Sequence, residues 1–356
     1  MTYLVFILFV IIYSKYVSFF KVRNWNSIKY LPIYFLFIII LGLQFKVGTD
    51  YNSYLELAST NGDFGWIENK FEFSFVFLNK IVISLGWPQL IFFFAAVIQI
   101  FFLSKIVNDL EIIYELKSVW FFFFFFTLSL IFFNSFNGIR QYIAIYISFY
   151  SFIKLIQGKN IFFILGILFA SSFHSSALFL LMFFLLRPLL FVKFNFYFIL
   201  LTILFSGYFG LFYLQNLITE YIGLTQYGEY LKSDYFYLEI DPINILTKLP
   251  KVLVVLICAF FLETKYNDIS DKYKPLLNLS YLSLIFLMFS LFSPMLWRFY
   301  QYFDIFLIFP PLILFSYNRQ RDLSYILSAF LFFILLLKIL IFNDYEYSYN
   351  SILFNN

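Results

Sequence analysis

Residues 88–104 read Pro-Gln-Leu-Ile-Phe-Phe-Phe-Ala-Ala-Val-Ile-Gln-Ile-Phe-Phe-Leu-Ser, without a single charge. A helix needs about 20 such residues to cross a hydrocarbon core of ~30 Å, and this run centres a segment of that length. One run of this kind could be the buried core helix of a soluble domain. Similar runs recur along the whole chain, which is 63% hydrophobic and only 12% charged, against about 25% charged in soluble domains. The sequence therefore predicts an all-α, polytopic integral membrane protein.

Working outward, apolar runs centre on residues 2–20, 30–45, 88–104, 119–133, 139–156, 161–173, 176–192, 196–214, 245–262, 276–293, 296–316 and 323–342. That predicts about 12 transmembrane helices, an arrangement compatible with a GT-C-like architecture. The run from Phe73 to Leu85 is different, being short and carrying Lys80 at its middle. A charge at a helix centre costs about 3 kcal/mol on insertion scales, so this run is expected to be re-entrant or interfacial. Lysine and arginine in short loops set direction. The clusters are Lys21, Arg23 and Lys29; Lys105 and Lys117; Lys154 and Lys159; Arg187 and Lys193; Lys265, Lys272 and Lys274; and Arg319 and Arg321. All six fall on one side only when 73–85 does not cross. The outer face then receives loops 48–71 and 215–244, residues 134–138, His174, Pro294 and the C-terminal tail. No linker or repeat divides the chain, so 1–356 is expected to form a single transmembrane domain, and the first run a retained helix.

Composition excludes other classes. A single cysteine, Cys258, forbids an internal disulfide, and a net charge of +4 without a basic block gives nucleic acid no footprint. With one histidine, no metal site and no cofactor are expected. The 58 phenylalanines follow the same bias that enriches Ile, Tyr, Asn and Lys, and the run Phe121 to Phe126 is expected to be lipid-facing filler.

Ionisable groups in or at the edge of a membrane are functional candidates by default, and four clusters qualify. Lys46-Val47-Gly48-Thr49-Asp50-Tyr51, with Tyr54, stands where the second helix emerges. Asp50 there reads equally as a helix cap or as a base toward a sugar hydroxyl. Asn137-Gly138-Ile139-Arg140-Gln141 opens a helix on the outer side. Arg140 reads as a phosphate-binding fork or as a snorkelling interfacial arginine. Phe173-His174-Ser175-Ser176-Ala177 holds the lone histidine, either structural or a general acid–base. Trp297-Arg298-Phe299-Tyr300, with Asp304 deeper, reads as an anion site, an intramembrane ion pair or a tryptophan-anchored helix end. Two arginines, a histidine and an aspartate on one aqueous side point to an anionic substrate at the membrane surface.

These boxes resemble the EpsG family, the Wzy-like polymerases of bacterial exopolysaccharide and capsule synthesis. The resemblance rests on Gly48-Thr49-Asp50-Tyr51 with Tyr54, on Ile139-Arg140-Gln141-Tyr142-Ile143-Ala144, and on Ala170-Ser171-Ser172-Phe173-His174-Ser175-Ser176-Ala177. Glu72 within Phe71-Glu72-Phe73 and Arg298 before Tyr302 also fit, and the likeness covers about residues 3–316. The chain departs from the family where an arginine often precedes the first box, since Gln44 stands there, and Lys46 lacks the planar fork.

The resemblance implies a polymerase of oligosaccharide repeat units linked to undecaprenyl pyrophosphate. It would act on the outer face of the bacterial cytoplasmic (inner) membrane, with membrane lipid, a flippase and a chain-length regulator of the same pathway as partners. It further implies that Arg140 and Arg298 hold pyrophosphate and that His174 and Asp50 assist proton transfer or acceptor positioning. Lys46, Tyr51, Tyr54, Gln141 and Glu72 would contact substrate. Three rival functions stay open. A ligase would use a similar outer site. A transporter of lipid-linked sugars would show repeats and central polar positions. A scaffold would leave the outer arginines and His174 without a role. Specificity is expected in loop 215–244, where Tyr221, Tyr227, Tyr230, Tyr235 and Tyr237 could stack on sugars or simply sit at the interface.

Overall fold

The helix Ile139–Ile156 buries every residue except Arg140, Gln141 and Tyr150. Its apolar residues face neighbours all round, as in the core of a large bundle. The computed structural model that contains it describes residues 2–18, 28–59, 64–68, 70–210, 213, 220, 242–265, 271–291, 294–316, 321–341 and 347–354. Among these residues there is no strand, and one isolated bridge joins Gln44 to Ser351. The helices gather into two compact units, residues 1–187 with 328–356, and residues 188–327.

In the first unit, in chain order, the helices are α1 (Thr2–Ser18), α2 (Leu31–Gly42), α3 (Tyr51–Leu57), α4 (Gly65–Glu68), α5 (Phe73–Leu85), α6 (Leu90–Ile112), α7 (Ser118–Thr127), α8 (Ile131–Asn134), α9 (Ile139–Ile156) and α10 (Asn160–Ser171). α6 packs against both α2 and α9, and α10 lies along α9. Gln89, just before α6, donates through Nε2 to the carbonyls of Gly42 (2.7 Å) and Gln44 (2.9 Å) at the end of α2. Lys29, just before α2, pairs at 2.8 Å with Glu111 at the end of α6. The two helices are therefore antiparallel, and the excursion 43–89 returns to the end it left. That is the geometry a non-crossing α5 requires. Its 13 residues reach only about 20 Å as a helix. Gly86 ends α5 in the left-handed conformation, and Lys80 turns outward to an exposed pairing with Glu68, worth little.

The opposite end of this unit collects Lys29 with Glu111 and Lys154 with Asp109, and Gln157 also donates to Asp109 at 3.1 Å. The clusters read from the sequence as 21–29, 105–117 and 154–159 thus bring Lys29 and Lys154 together with the end of α6. Arg187 joins them through Nε to the carbonyl of Leu155, 3.0 Å away.

Two helices and no more among the described residues, Leu90–Ile112 and Asp322–Leu340, are long and apolar enough to cross a membrane uninterrupted. Three expected spans are interrupted. Residues 119–133 break between α7 and α8, where the Ser129 hydroxyl accepts the Ile131 N–H at 3.1 Å and restarts the chain. Residues 176–192 begin as a 3₁₀ segment, Ser175–Leu181, before Met182–Leu190. Residues 296–316 divide into Pro294–Gln301, the 3₁₀ turn Asp304–Ile308 and Phe309–Ser316.

The third break lies in the second unit and has a clear cause. Pro310 carries no N–H for the carbonyl of Phe306, four residues back. The Ser280 hydroxyl donates to that carbonyl instead, and Ser283 donates to the carbonyl of Phe303 at 2.7 Å. Interrupted helices survive in lipid when neighbouring serines satisfy the freed backbone in this way.

The phenylalanine run corrects one expectation. Phe121 to Phe126 are all buried, none more than 7% exposed. Phe126 stacks on Phe37 (5.7 Å between centroids) and meets Phe6 and Phe132 edge-on at 5.9 and 5.1 Å. α7 packs against α1 and α6 and its rings reach Phe37 of α2, so they fill protein rather than face lipid. Loop 215–244, with its five tyrosines, lies outside the described residues apart from Glu220 and 242–244.

Candidate functional site

Gly48 sets the first part of the site. Its φ of +75° is a left-handed conformation, and a Cβ there would lie 2.6 Å from Asn137 Oδ1. The same Asn137 oxygen accepts the N–H of Asp50 at 2.8 Å and the Thr49 hydroxyl at 3.4 Å. A side chain between α8 and α9 thus clamps the turn that precedes α3. Gly48→Ala should cost about 2 kcal/mol or more, from left-handed strain plus the clash. Gly86→Ala, also at positive φ but with open space around it, should cost only the backbone part. Thermal unfolding of the two variants beside the wild type separates the contributions, and equal melting temperatures would refute the clamp.

Asp50 occupies the N-cap position of α3, yet its side chain makes no cap hydrogen bond. Tyr51 and Tyr54 are buried. The Tyr51 hydroxyl donates to Gln89 Oε1 at 2.9 Å, and its ring stacks on Phe92 at 4.9 Å. Tyr51 therefore packs the floor under the turn. Tyr54 meets Phe75, the ring under Arg140, edge-on at 5.9 Å. Lys46 is exposed in a left-handed backbone, with Nζ over the Phe45 ring. Gln44, standing where the family often has arginine, is buried, and its Oε1 has no hydrogen-bond partner among the described residues.

Glu72 joins the other two boxes. It is 1% exposed, and its Oε2 takes the guanidinium of Arg140. Its Oε1 accepts the backbone N–H of Ser175 at 3.1 Å and the Ser175 hydroxyl at 3.3 Å. One carboxylate thus holds the first turn of α9 and the residue after His174. A second tie runs beside it: Ser74 N–H donates to the Ser172 carbonyl at 3.0 Å, and the two hydroxyls meet at 2.6 Å. Glu72 is turned inward from an unusual position. Phe71, just before it, has a φ of 60° and is 83% exposed.

Arg140 sits in the first turn of α9, at the positive end of the helix dipole, where cations are disfavoured. Glu72 offsets that, and the Phe75 ring lies 5.6 Å from the guanidinium carbon. The helix start and its dipole favour an anion there. His174 Nδ1 lies 2.6 Å from Ser176 Oγ, which fixes the ring. Gln141, partly exposed, follows Arg140 on α9.

The structure therefore brings Gly48 to Tyr54, Glu72, Arg140, Gln141 and His174 to one end of the first unit. Arg298 belongs to the second unit, exposed on Pro294–Gln301. Asp304 there is paired with Lys251 at 3.0 Å and accepts the Tyr300 hydroxyl. Sequence reading missed Lys248 and Lys251. Two lysines three residues apart inside an apolar run were the available signal.

Long apolar helices, with a partly buried arginine–glutamate pair beside a histidine at one end of the first unit, are consistent with a membrane protein that carries an ionisable site. The EpsG family model matches residues 27–352, and the chain belongs to the EpsG family of Wzy-like polymerases. Membership carries a polymerase-type function in exopolysaccharide synthesis. No curated protein and no solved structure matches the chain.

Proposed function

We propose that this chain polymerises oligosaccharide repeat units carried on undecaprenyl pyrophosphate, at the outer face of the bacterial cytoplasmic membrane. The observation that carries the reading is Glu72, which joins Arg140 to the His174 segment in one cluster. An acceptor hydroxyl would attack the anomeric carbon of the donor unit. The carbon–oxygen bond to the carrier would break, and the carrier pyrophosphate would leave with the negative charge. Arg140, held by Glu72 and placed at a helix start, stabilises that charge. In the tautomer whose Nδ1–H donates to the Ser176 hydroxyl, Nε2 of His174 takes the acceptor proton. Asp50 positions the acceptor, and Lys46 and Gln141 contact the polar parts of the substrate. Tyr51, Tyr54 and Glu72 act from beneath as positioning residues.

The purified chain in nanodiscs, given repeat units on their pyrophosphate carrier, is expected to release one carrier pyrophosphate for each new glycosidic bond. His174→Ala should slow release by about 10²–10⁴-fold, the range of general acid–base catalysis, at unchanged folded yield. Movement of the intact lipid-linked unit across the membrane without carrier release would favour a transporter and overturn the reading.

A further inference from the structure

The second unit contains a buried charge cluster that the chemistry above does not use. Lys248 and Lys251 lie on the helix Pro242–Lys265, one turn apart and on one face. Lys248 is 9% exposed, Lys251 4% and Asp304 2%. Lys251 donates to Asp304 Oδ1 at 3.0 Å, and the Tyr300 hydroxyl donates to the same oxygen. Two lysines against one carboxylate leave one positive charge over. That charge is on Lys248, whose Nζ lies 4.3 Å from the centre of the Trp297 ring. Its electrostatic neighbours are Lys251, which repels it, and Asp304, already engaged. Among the described residues Lys248 forms no ion pair. The one carboxylate on its own helix, Glu263, is fifteen positions on, about 22 Å away.

A cation buried in protein without a counterion is unfavourable. An interfacial lysine would keep its ammonium in water and lay only its stem along the protein, but Lys248 is enclosed. Trp297 stabilises a cation through its ring face without neutralising it. Arg298, exposed beside Trp297, adds a second cation at the rim.

We propose that Lys248 forms an anion-binding subsite in the second unit and takes a phosphate or diphosphate headgroup. The Lys251–Asp304–Tyr300 triad fixes the floor, and Trp297 covers the lysine from one side. The chemistry is shared by two sources, the diphosphate of a polyprenyl carrier and the phosphate of an anionic phospholipid. The carrier source rests on the polymerase reading, because joining two carrier-linked chains needs two diphosphates bound at once. The phospholipid source does not.

Native mass spectrometry of the full chain in detergent tests this, with farnesyl pyrophosphate and phosphatidylglycerol as probes and phosphatidylcholine as the zwitterionic control. The wild type is expected to retain farnesyl pyrophosphate at two positions. Lys248→Gln should lose one of them, with affinity at that position reduced at least 10-fold, and Lys248→Arg should restore it. Phosphatidylglycerol retained with the same Lys248 dependence, in place of one farnesyl pyrophosphate, assigns the subsite to a lipid headgroup and also supports the proposal. Equal counts and affinities for both probes in wild type and Lys248→Gln overturn it, including when the variant melts earlier. Because the count requires no turnover, absence of polymerase activity would leave this result standing.

Discussion

Arg140→Ala should slow polymer formation severely and also weaken the fold, and the two effects are separable. Loss of one donor to a developing anion typically costs 10²–10³-fold in rate, about 2.7–4 kcal/mol. The structural loss has a different origin. Glu72 is almost wholly enclosed, and its Oε2 is satisfied by Arg140. Removing one member of a buried pair leaves an uncompensated charge, at a cost of about 3–5 kcal/mol. Arg140→Ala with Glu72→Ala removes both charges and should recover much of the lost stability while staying inactive. Arg140→Lys keeps the charge without the fork. It should fold and polymerise at least about 10-fold more slowly, since a point charge cannot hold Glu72 and an anion in one plane. Full recovery of activity in the double variant would show that Arg140 serves the fold alone.

Glu72→Ala has the second largest expected effect, although Glu72 touches no reacting atom in the proposed chemistry. It frees Arg140, the Ser175 N–H and the Ser175 hydroxyl together. Hydrogen bonds to charged groups contribute about 1.5–3 kcal/mol each, and these ties are not additive because one carboxylate makes them all. Glu72→Gln keeps the shape and an acceptor for Ser175 but loses the ionic tie to Arg140. The expected order of rate is wild type, then Glu72→Gln, then Glu72→Ala, with KM for the lipid-linked substrate rising as Arg140 loses its orientation. The readout that a purely structural role would not move is the coupling with Arg140 in a double-variant cycle on kcat/KM. A coupling energy near zero would break the link between Glu72 and Arg140 in catalysis.

Several of these features were legible in the sequence for identifiable physical reasons. The limits of α5 coincide with the run Phe73–Leu85 because length and Gly86 both stop the helix there. The end that gathers Lys29, Glu111, Asp109 and Lys154 follows from charges in short loops, which must stay together when α5 makes no net crossing. The boxes around Gly48, Arg140 and His174 were recognisable because each carries a polar group at a helix end, where apolar sequence gives it no local reason to be.

Other features could not be read in one dimension. Phenylalanine is equally suited to lipid and to protein interior, so hydropathy cannot tell that Phe121 to Phe126 are enclosed. The break between α7 and α8 depends on the Ser129 hydroxyl finding the Ile131 N–H, a local bond in a run that is otherwise apolar. Asp304 was read with its sequence neighbours Arg298 and Tyr300. Its cationic partner proved to be Lys251, fifty-three positions away, a distance over which sequence spacing carries no information. Glu72 fitted the family pattern as a substrate contact; the fold encloses it beneath Arg140 and Ser175, and in the proposed chemistry it positions Arg140.

The most direct test of the central claim is a product ladder. The full chain, purified and reconstituted in nanodiscs, would receive its native repeat unit on undecaprenyl pyrophosphate, with Arg140→Lys compared at equal folded yield. The account predicts a wild-type ladder whose rungs differ by one repeat unit, and a shorter, slower ladder from the variant. A folded wild type that adds nothing, or that makes one transfer and stops, would contradict it.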